Sequence, residues 1–229
     1  GFDIDCCKYL TISNCKINTP HDDALVLKSS YALKKPVLTE HIAITNCVIT
    51  GYKFGTFLDG TYIPEKVNWV CGRFKLGTES NGGYRNISLS NCTFMYSSGL
   101  AFEEVDQGLM ENIVVNNITM NHVHHYPIYI TTGCRNRGPK ERTTVSTGRD
   151  IMISNVIAND VDSLAGIIVT SLWQRINILQ PVLLFTIFGM CAFVGIIIWG
   201  FGQMDKDTMN TVTTVASNMI LLGIILSFI

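Results

Sequence analysis

Apolar and polar residues alternate along most of the first 170 positions, and one alternating phrase returns five times. It reads L-T-I-S-N-C from Leu10, I-A-I-T-N-C from Ile42, I-S-L-S-N-C from Ile87, I-V-V-N-N-I from Ile113 and I-M-I-S-N-V from Ile151. A period of two is the pattern of a strand with one buried face. Each phrase then reaches an Asn, at 14, 46, 91, 117 and 155. The phrases lie 26 to 45 positions apart, which suits one or two turns of a unit of roughly 20–30 residues. Such a unit cannot bury its apolar face alone, so stacking like on like is expected, Ile on Ile and Asn on Asn. The pattern predicts an all-β, right-handed parallel β-helix over residues 1–170. A β-sandwich of short alternating strands is the alternative, although a sandwich does not require one phrase five times. A corner row of Asn accepts a tight turn and bonds neighbouring backbone. It also accounts for the sequons at Asn86, Asn91 and Asn117 without glycosylation.

The pattern changes abruptly near Thr170. From Ile178 to Phe201 there is no charged residue, enough to cross a hydrocarbon layer of about 30 Å at about 1.5 Å per residue. Asp205, Lys206 and Asp207 follow, and a second uncharged run extends from Thr208 to Ile229. Residues 171–229 are therefore expected to form a hydrophobic helical hairpin, its spans at about 178–201 and 208–229, with the lipid bilayer as partner. Trp173 and Arg175 stand where an interfacial anchor belongs. Hydrophobic helices capping the end of the β-rich part are the alternative, but a cap needs one apolar face and not apolarity all round.

Composition alters this picture little. Seventeen basic and eighteen acidic residues leave a formal net charge of −1, so nothing electrostatic points to nucleic acid. Eight cysteines show neither C-x-x-C nor zinc spacing; they read as buried thiols acting as small apolar groups, with a disulfide as the alternative. The run H-V-H-H from His122 reads as a loop before a strand. No metal or cofactor is expected.

The chemistry concentrates in a few charged positions. Asp22 and Asp23 stand side by side in T-P-H-D-D-A-L-V-L-K, and Arg73 and Lys75 stand two apart in G-R-F-K-L-G-T-E-S. Hydrolysis of a glycosidic bond with inversion needs one protonated carboxyl at the leaving oxygen and one carboxylate activating water. Crowding two acids favours keeping one of them protonated. Residues two apart on a strand leave the same face, and two cations on one face suit a sugar carboxylate, with Arg able to grip it bidentately.

Together with G-F-D-I-D-C-C-K-Y-L-T-I-S-N-C at the start and L-D-G-T-Y from Leu58, these phrases resemble glycoside hydrolase family 28, the polygalacturonases and related pectin hydrolases. The resemblance covers residues 1 to about 169. It implies a pectin-lyase-like fold, acid/base inverting hydrolysis of pectin-type polygalacturonate, Asp22 as general acid, Asp23 as the residue that positions and activates water, and Arg73 with Lys75 as the galacturonate clamp. Asp3, in the G-F-D phrase, and Glu79, in G-T-E-S, are weaker substrate-binding candidates. Lys28, after the acids, reads as structural. An acidic polysaccharide is then the expected partner, and the β-rich part is expected outside the cytoplasm, anchored by the hairpin. A calcium-dependent pectate lyase uses similar acids as oxygen ligands, but the R-F-K and G-T-E-S phrases favour the hydrolase.

Two departures matter. The family's further catalytic Asp, in N-T-D or N-P-D immediately ahead of G-F-D, would fall just before Gly1, where the sequence begins. The family's G-H-G histidine is absent: the comparable region reads T-G-Y-K-F-G-T-F-L-D-G-T-Y, where Tyr52, Lys53 or Asp59 can line a groove. A polysaccharide-binding protein without turnover, and a membrane protein carrying the β-rich part as passenger, are the alternatives.

Overall fold

The computed structural model describes residues 1–66, 70–135, 137–139, 145–162 and 167–170, the last four by backbone alone. The chain divides into Gly1–Gln174 and Arg175–Ile229, and the described residues all belong to the first. They hold thirteen strands: β1 Phe2–Asp5, β2 Lys8–Ser13, β3 Lys16–Asn18, β4 Leu25–Ser29, β5 Thr39–Thr45, β6 Val48–Thr50, β7 Phe74–Ser80, β8 Tyr84–Ser97, β9 Leu100–Glu104, β10 Leu109–Val123, β11 Ile128–Thr132, β12 Thr147–Val161 and β13 Ile167–Thr170.

These strands make two parallel sheets. One has the order β1-β4-β7-β9-β11-β13; the other runs β12-β10-β8-β5-β2, with β3 and β6 pairing alongside. This corrects the expectation of a single β-helix followed by a helical hairpin. The described architecture is all-β with two parallel sheets, and no helix occurs among the described residues. The physical reason is that alternation specifies one buried face per strand, which two parallel sheets with a shared apolar interior satisfy equally well. The expected hairpin, residues 178–201 and 208–229, lies outside the described residues. Among those described, no helix is long and apolar enough to cross a membrane.

The repeated phrase occupies the second sheet, row upon row. Leu10, Ile42, Ile87, Ile113 and Ile151 are register partners across β2, β5, β8, β10 and β12, and so are Ile12, Ile44, Leu89, Val115 and Ile153. Their inward side chains meet Leu25, Leu27, Phe74, Leu76, Leu100 and Phe102 from the first sheet in one apolar core. Phe74 and Phe102 pack edge to face at 6.2 Å.

Asn14, Asn46, Asn91, Asn117 and Asn155 all adopt left-handed backbone, with φ between 51° and 58°. Side-chain amides continue the row: Asn117 donates to Asn91 and Asn155 donates to Asn117, each at 3.1 Å. A second left-handed row runs through Tyr9, His41, Asn86, Asn112 and Asp150, where the Tyr9 and His41 rings stack at 4.8 Å.

A like-on-like stack would place equal charges in contact, and the register avoids this by alternating sign. Lys8, Glu40, Arg85, Glu111 and Arg149 are partners on five successive strands. Lys8 Nζ lies 2.6 Å from Glu40 Oε1, Arg85 Nη2 2.8 Å from Glu40 Oε2, and Arg149 Nε 3.0 Å from Glu111 Oε2. The Lys8 and Arg85 hydrogen bonds pull the Glu40 carboxyl down to about 2.

The left-handed corner yields a stability test. For Asn91→Val, a β-branched residue forced into that conformation is expected to cost about 1–2 kcal/mol, and Asn91→Gly, which accepts it freely, clearly less. Urea denaturation of the three proteins checks the ordering.

Candidate functional site

The acids and the basic pair meet where β4 and β7 begin. Leu25 pairs with Phe74 and Val26 with Lys75, and the backbone ahead of both strands is bonded as well: Gly72 N donates to Asp22 O at 2.9 Å and Ala24 N to Arg73 O at 3.0 Å. Asp23 is thereby held beside Arg73. Inward-facing Phe74 separates Arg73 from Lys75, so both cations point outward.

They do not stand free. Arg73 Nε lies 2.5 Å from Asp23 Oδ1, and Lys75 Nζ 3.2 Å from Asp23 Oδ2. From the next strand, Glu103 approaches the same pair, Oε1 at 3.5 Å from Arg73 Nη1 and Oε2 at 3.7 Å from Lys75 Nζ. All four side chains are 11–20% exposed, so solvent screens them less than a surface pair. Burial opposes the Arg73 charge, but Asp23 and Glu103 outweigh it and hold the guanidinium above its ordinary pKa.

Asp22 is exposed, and its Oδ1 accepts the Asp23 N–H at 2.7 Å. It has no ion pair among the described residues. The basic pair thus compensates the neighbouring Asp23 charge, leaving Asp22 as the solvent-facing acid of the site.

Asp3 and Glu79 lie on the same sheet but converge on a different cation. Asp3 shares a row with Val26 and Lys75, two strand spacings or roughly 10 Å from the latter. Its Oδ2 lies 2.7 Å from Lys28 Nζ. The hydrogen bond that Lys28 donates to Asp3, working against partial burial, raises the Lys28 pKa. Between Leu27 and Ser29 the register with β7 shifts, so that Gly77, Thr78 and Glu79 stand against the single residue Lys28. This irregularity brings Glu79 Oε2 to 3.9 Å from Lys28 Nζ. Glycine is required at position 77: φ is +103°, and a Cβ there would lie 2.2 Å from the Glu103 carbonyl oxygen.

The loop between β6 and Arg73 borders this end of the sheet. Tyr52 is buried in it, its ring 5.6 Å from Tyr62 and 5.4 Å from Tyr96. Asp59 accepts the Thr61 N–H and hydroxyl at 2.9 and 2.6 Å and so closes a turn. Lys53 is exposed. His21, next to Asp22, lies 3.3 Å from Glu65 and packs its ring 5.2 Å from Phe54. Of the H-V-H-H run, expected as a loop, His122 and Val123 close β10; His122 lies 3.3 Å from Asp160, and His124, past that strand, 2.8 Å from Asp162. No group able to hold a metal ion occurs among the described residues. Among the described residues, cysteines 6, 7, 15, 47, 71 and 92 are free thiols.

Sequence reasoning missed Glu103. The signal was the apolar phase of L-A-F-E, which falls under F-K-L-G once Phe74 and Leu100 are aligned; without that register nothing ties Glu103 to Lys75. Glu104 was missed as well. Its side chain points inward and is wholly buried. Burial pushes its carboxyl up to about 8, against the Ser80 hydroxyl, the Gly108 N–H and the Ser146 hydroxyl, which favour the charge. Nearby, Arg135 pairs with the buried Asp106 and donates to Thr78 O at 2.7 Å. No protein-family model matches this sequence, and neither a curated protein nor a solved structure matches it.

Two carboxyls set opposite pH limits. Glu40, depressed when folded, contributes stability above its ordinary 4.5 that disappears as pH falls toward about 2. Glu104, raised when folded, contributes stability that is full below 4.5 and lost as pH rises through about 8. The shift at Glu104 corresponds to at most about 5 kcal/mol. Melting temperature should therefore peak near pH 4–5. Glu104→Gln should flatten the alkaline side of that profile and leave the acid side unchanged, as measured by thermal unfolding between pH 2 and 9.

Proposed function

We propose that this chain is a glycosidase of the polygalacturonase type, acting on an acidic, pectin-type polysaccharide by inverting hydrolysis. The observation that supports it most is the convergence of Asp22, Asp23, Arg73 and Lys75, from two distant stretches of sequence, at the start of two paired strands. Asp22, exposed to solvent, is the group placed to protonate a leaving oxygen. Asp23, fixed by two cations, is the carboxylate that orients water. Arg73 and Lys75 supply positive charge where a sugar carboxylate would sit, and Asp3 and Glu79 around Lys28 extend the polar face along the sheet. Such a substrate lies outside the cytoplasm. The β-rich part belongs there in this reading, with the uncharged C-terminal runs holding it to a bilayer.

A second reading, binding without turnover, draws on a specific observation. Asp23 is paired to both Arg73 and Lys75, so both of its oxygens already serve protein cations and not a water. The region comparable to the family's G-H-G also carries no histidine.

Reducing-end release from polygalacturonate separates the two. Hydrolysis predicts release by the unaltered chain and a loss of about 10²–10⁴-fold in Asp22→Asn. Equal release from both proteins removes Asp22 from the mechanism. Absence of release, together with oligogalacturonate binding that weakens on Arg73→Ala, selects the second reading.

A further inference from the structure

The place where a sugar carboxylate would sit is already bordered by a carboxylate of the protein. We infer that Glu103 is a specificity-determining residue: an internal competitor that occupies the Arg73–Lys75 pair and must yield before an acidic sugar is gripped. This inference rests on the polysaccharide reading above and adds which sugars the site prefers.

The geometry carries it. Glu103 reaches both cations with separate oxygens, at 3.5 and 3.7 Å, a bridging arrangement of the kind a uronate would need. Asp23 holds the pair from the other side at 2.5 and 3.2 Å. Two cations thus face two carboxylates within the cluster. A uronate arriving here meets cations that already have carboxylate partners. The Asp23 contacts are short and belong to the acid pair; those of Glu103 are longer than a direct hydrogen bond, so Glu103 is the partner that can be exchanged. Its neighbours fit this role. Ala101, the register partner of Lys75, is too small to separate Lys75 from Glu103. The carbonyl of Glu103 packs against Gly77, which fixes its backbone and leaves the side chain as the moving part. A sugar whose carboxyl is esterified needs no such exchange, so the unaltered site discriminates little between free and esterified uronates.

The test compares the unaltered chain, Glu103→Gln and Glu103→Asp by calorimetric titration with trigalacturonate and with its methyl ester. Glu103→Gln, which keeps shape and removes charge, should bind trigalacturonate about 5–20-fold more tightly and the ester unchanged within about twofold. Glu103→Asp, which keeps the charge but withdraws it by one methylene, should gain about 2–5-fold; it also serves if the Gln protein does not fold. Tighter binding of both ligands to the same extent, or no gain in a folded variant when the unaltered chain binds, overturns the role of Glu103 and leaves the polysaccharide reading standing. Failure of all three proteins to bind either ligand overturns both.

Discussion

Parallel register is the constraint on which the other features depend. Across β2, β5, β8, β10 and β12 each residue lies over its counterpart in the next strand, and a slip by one position would exchange the buried face for the solvent face along the whole row. Three kinds of row enforce the alignment. Apolar rows such as Leu10–Ile42–Ile87–Ile113–Ile151 favour it through burial. The left-handed Asn row favours it because Asn adopts that conformation at less cost than most side chains, so alignment of Asn on Asn is preferred. The Lys8–Glu40–Arg85–Glu111–Arg149 row favours it through sign, since a slip breaks pairs as close as 2.6 and 2.8 Å. The same discipline in the first sheet stacks Leu25, Phe74, Leu100 and Ile128 inward. It thereby decides that Arg73, Lys75 and Glu103 share the outer face.

Much of this was legible because it is local. Period-two alternation marks strands, and five copies of one phrase ending in Asn mark rows; the left-handed backbone at Asn14, Asn46, Asn91, Asn117 and Asn155 is the physical content of that repetition. Closure was not legible. Alternation says which side of a strand is dry, but not how many sheets share the dry space, and the single β-helix expected from it gave way to two parallel sheets. Among the charged residues, Arg73 and Lys75 were legible from spacing alone, and their proximity to Asp23 from resemblance. Glu103 needed the register of β7 with β9, and the turn of Asp3 and Glu79 toward Lys28 needed the irregularity opposite that residue. Each is a long-range fact that no short window of sequence contains.

Two acidic doublets show why adjacency in sequence is a poor guide to electrostatic crowding. Glu103 and Glu104 are neighbours in β9, and the pleat sends them to opposite sides. Glu103 faces the cations outside, while Glu104 enters the interior, where burial raises its carboxyl to about 8. Asp22 and Asp23 precede β4 in irregular backbone, yet they diverge too: Asp22 caps the Asp23 amide and faces solvent, and Asp23 turns onto Arg73 and Lys75. The charge that sequence alone sets against Asp22 is therefore largely answered by cations. What remains on the outer face of the first sheet is a compact cluster, with Asp23 held at short range and Glu103 at longer range on the same two cations. An incoming carboxylate gains only the difference between its own contacts and those of Glu103. That difference is small when both are carboxylates. Selectivity at such a site must then come from shape and from the fixed Asp22–Asp23 end, with positive charge serving to align the chain and not to capture it.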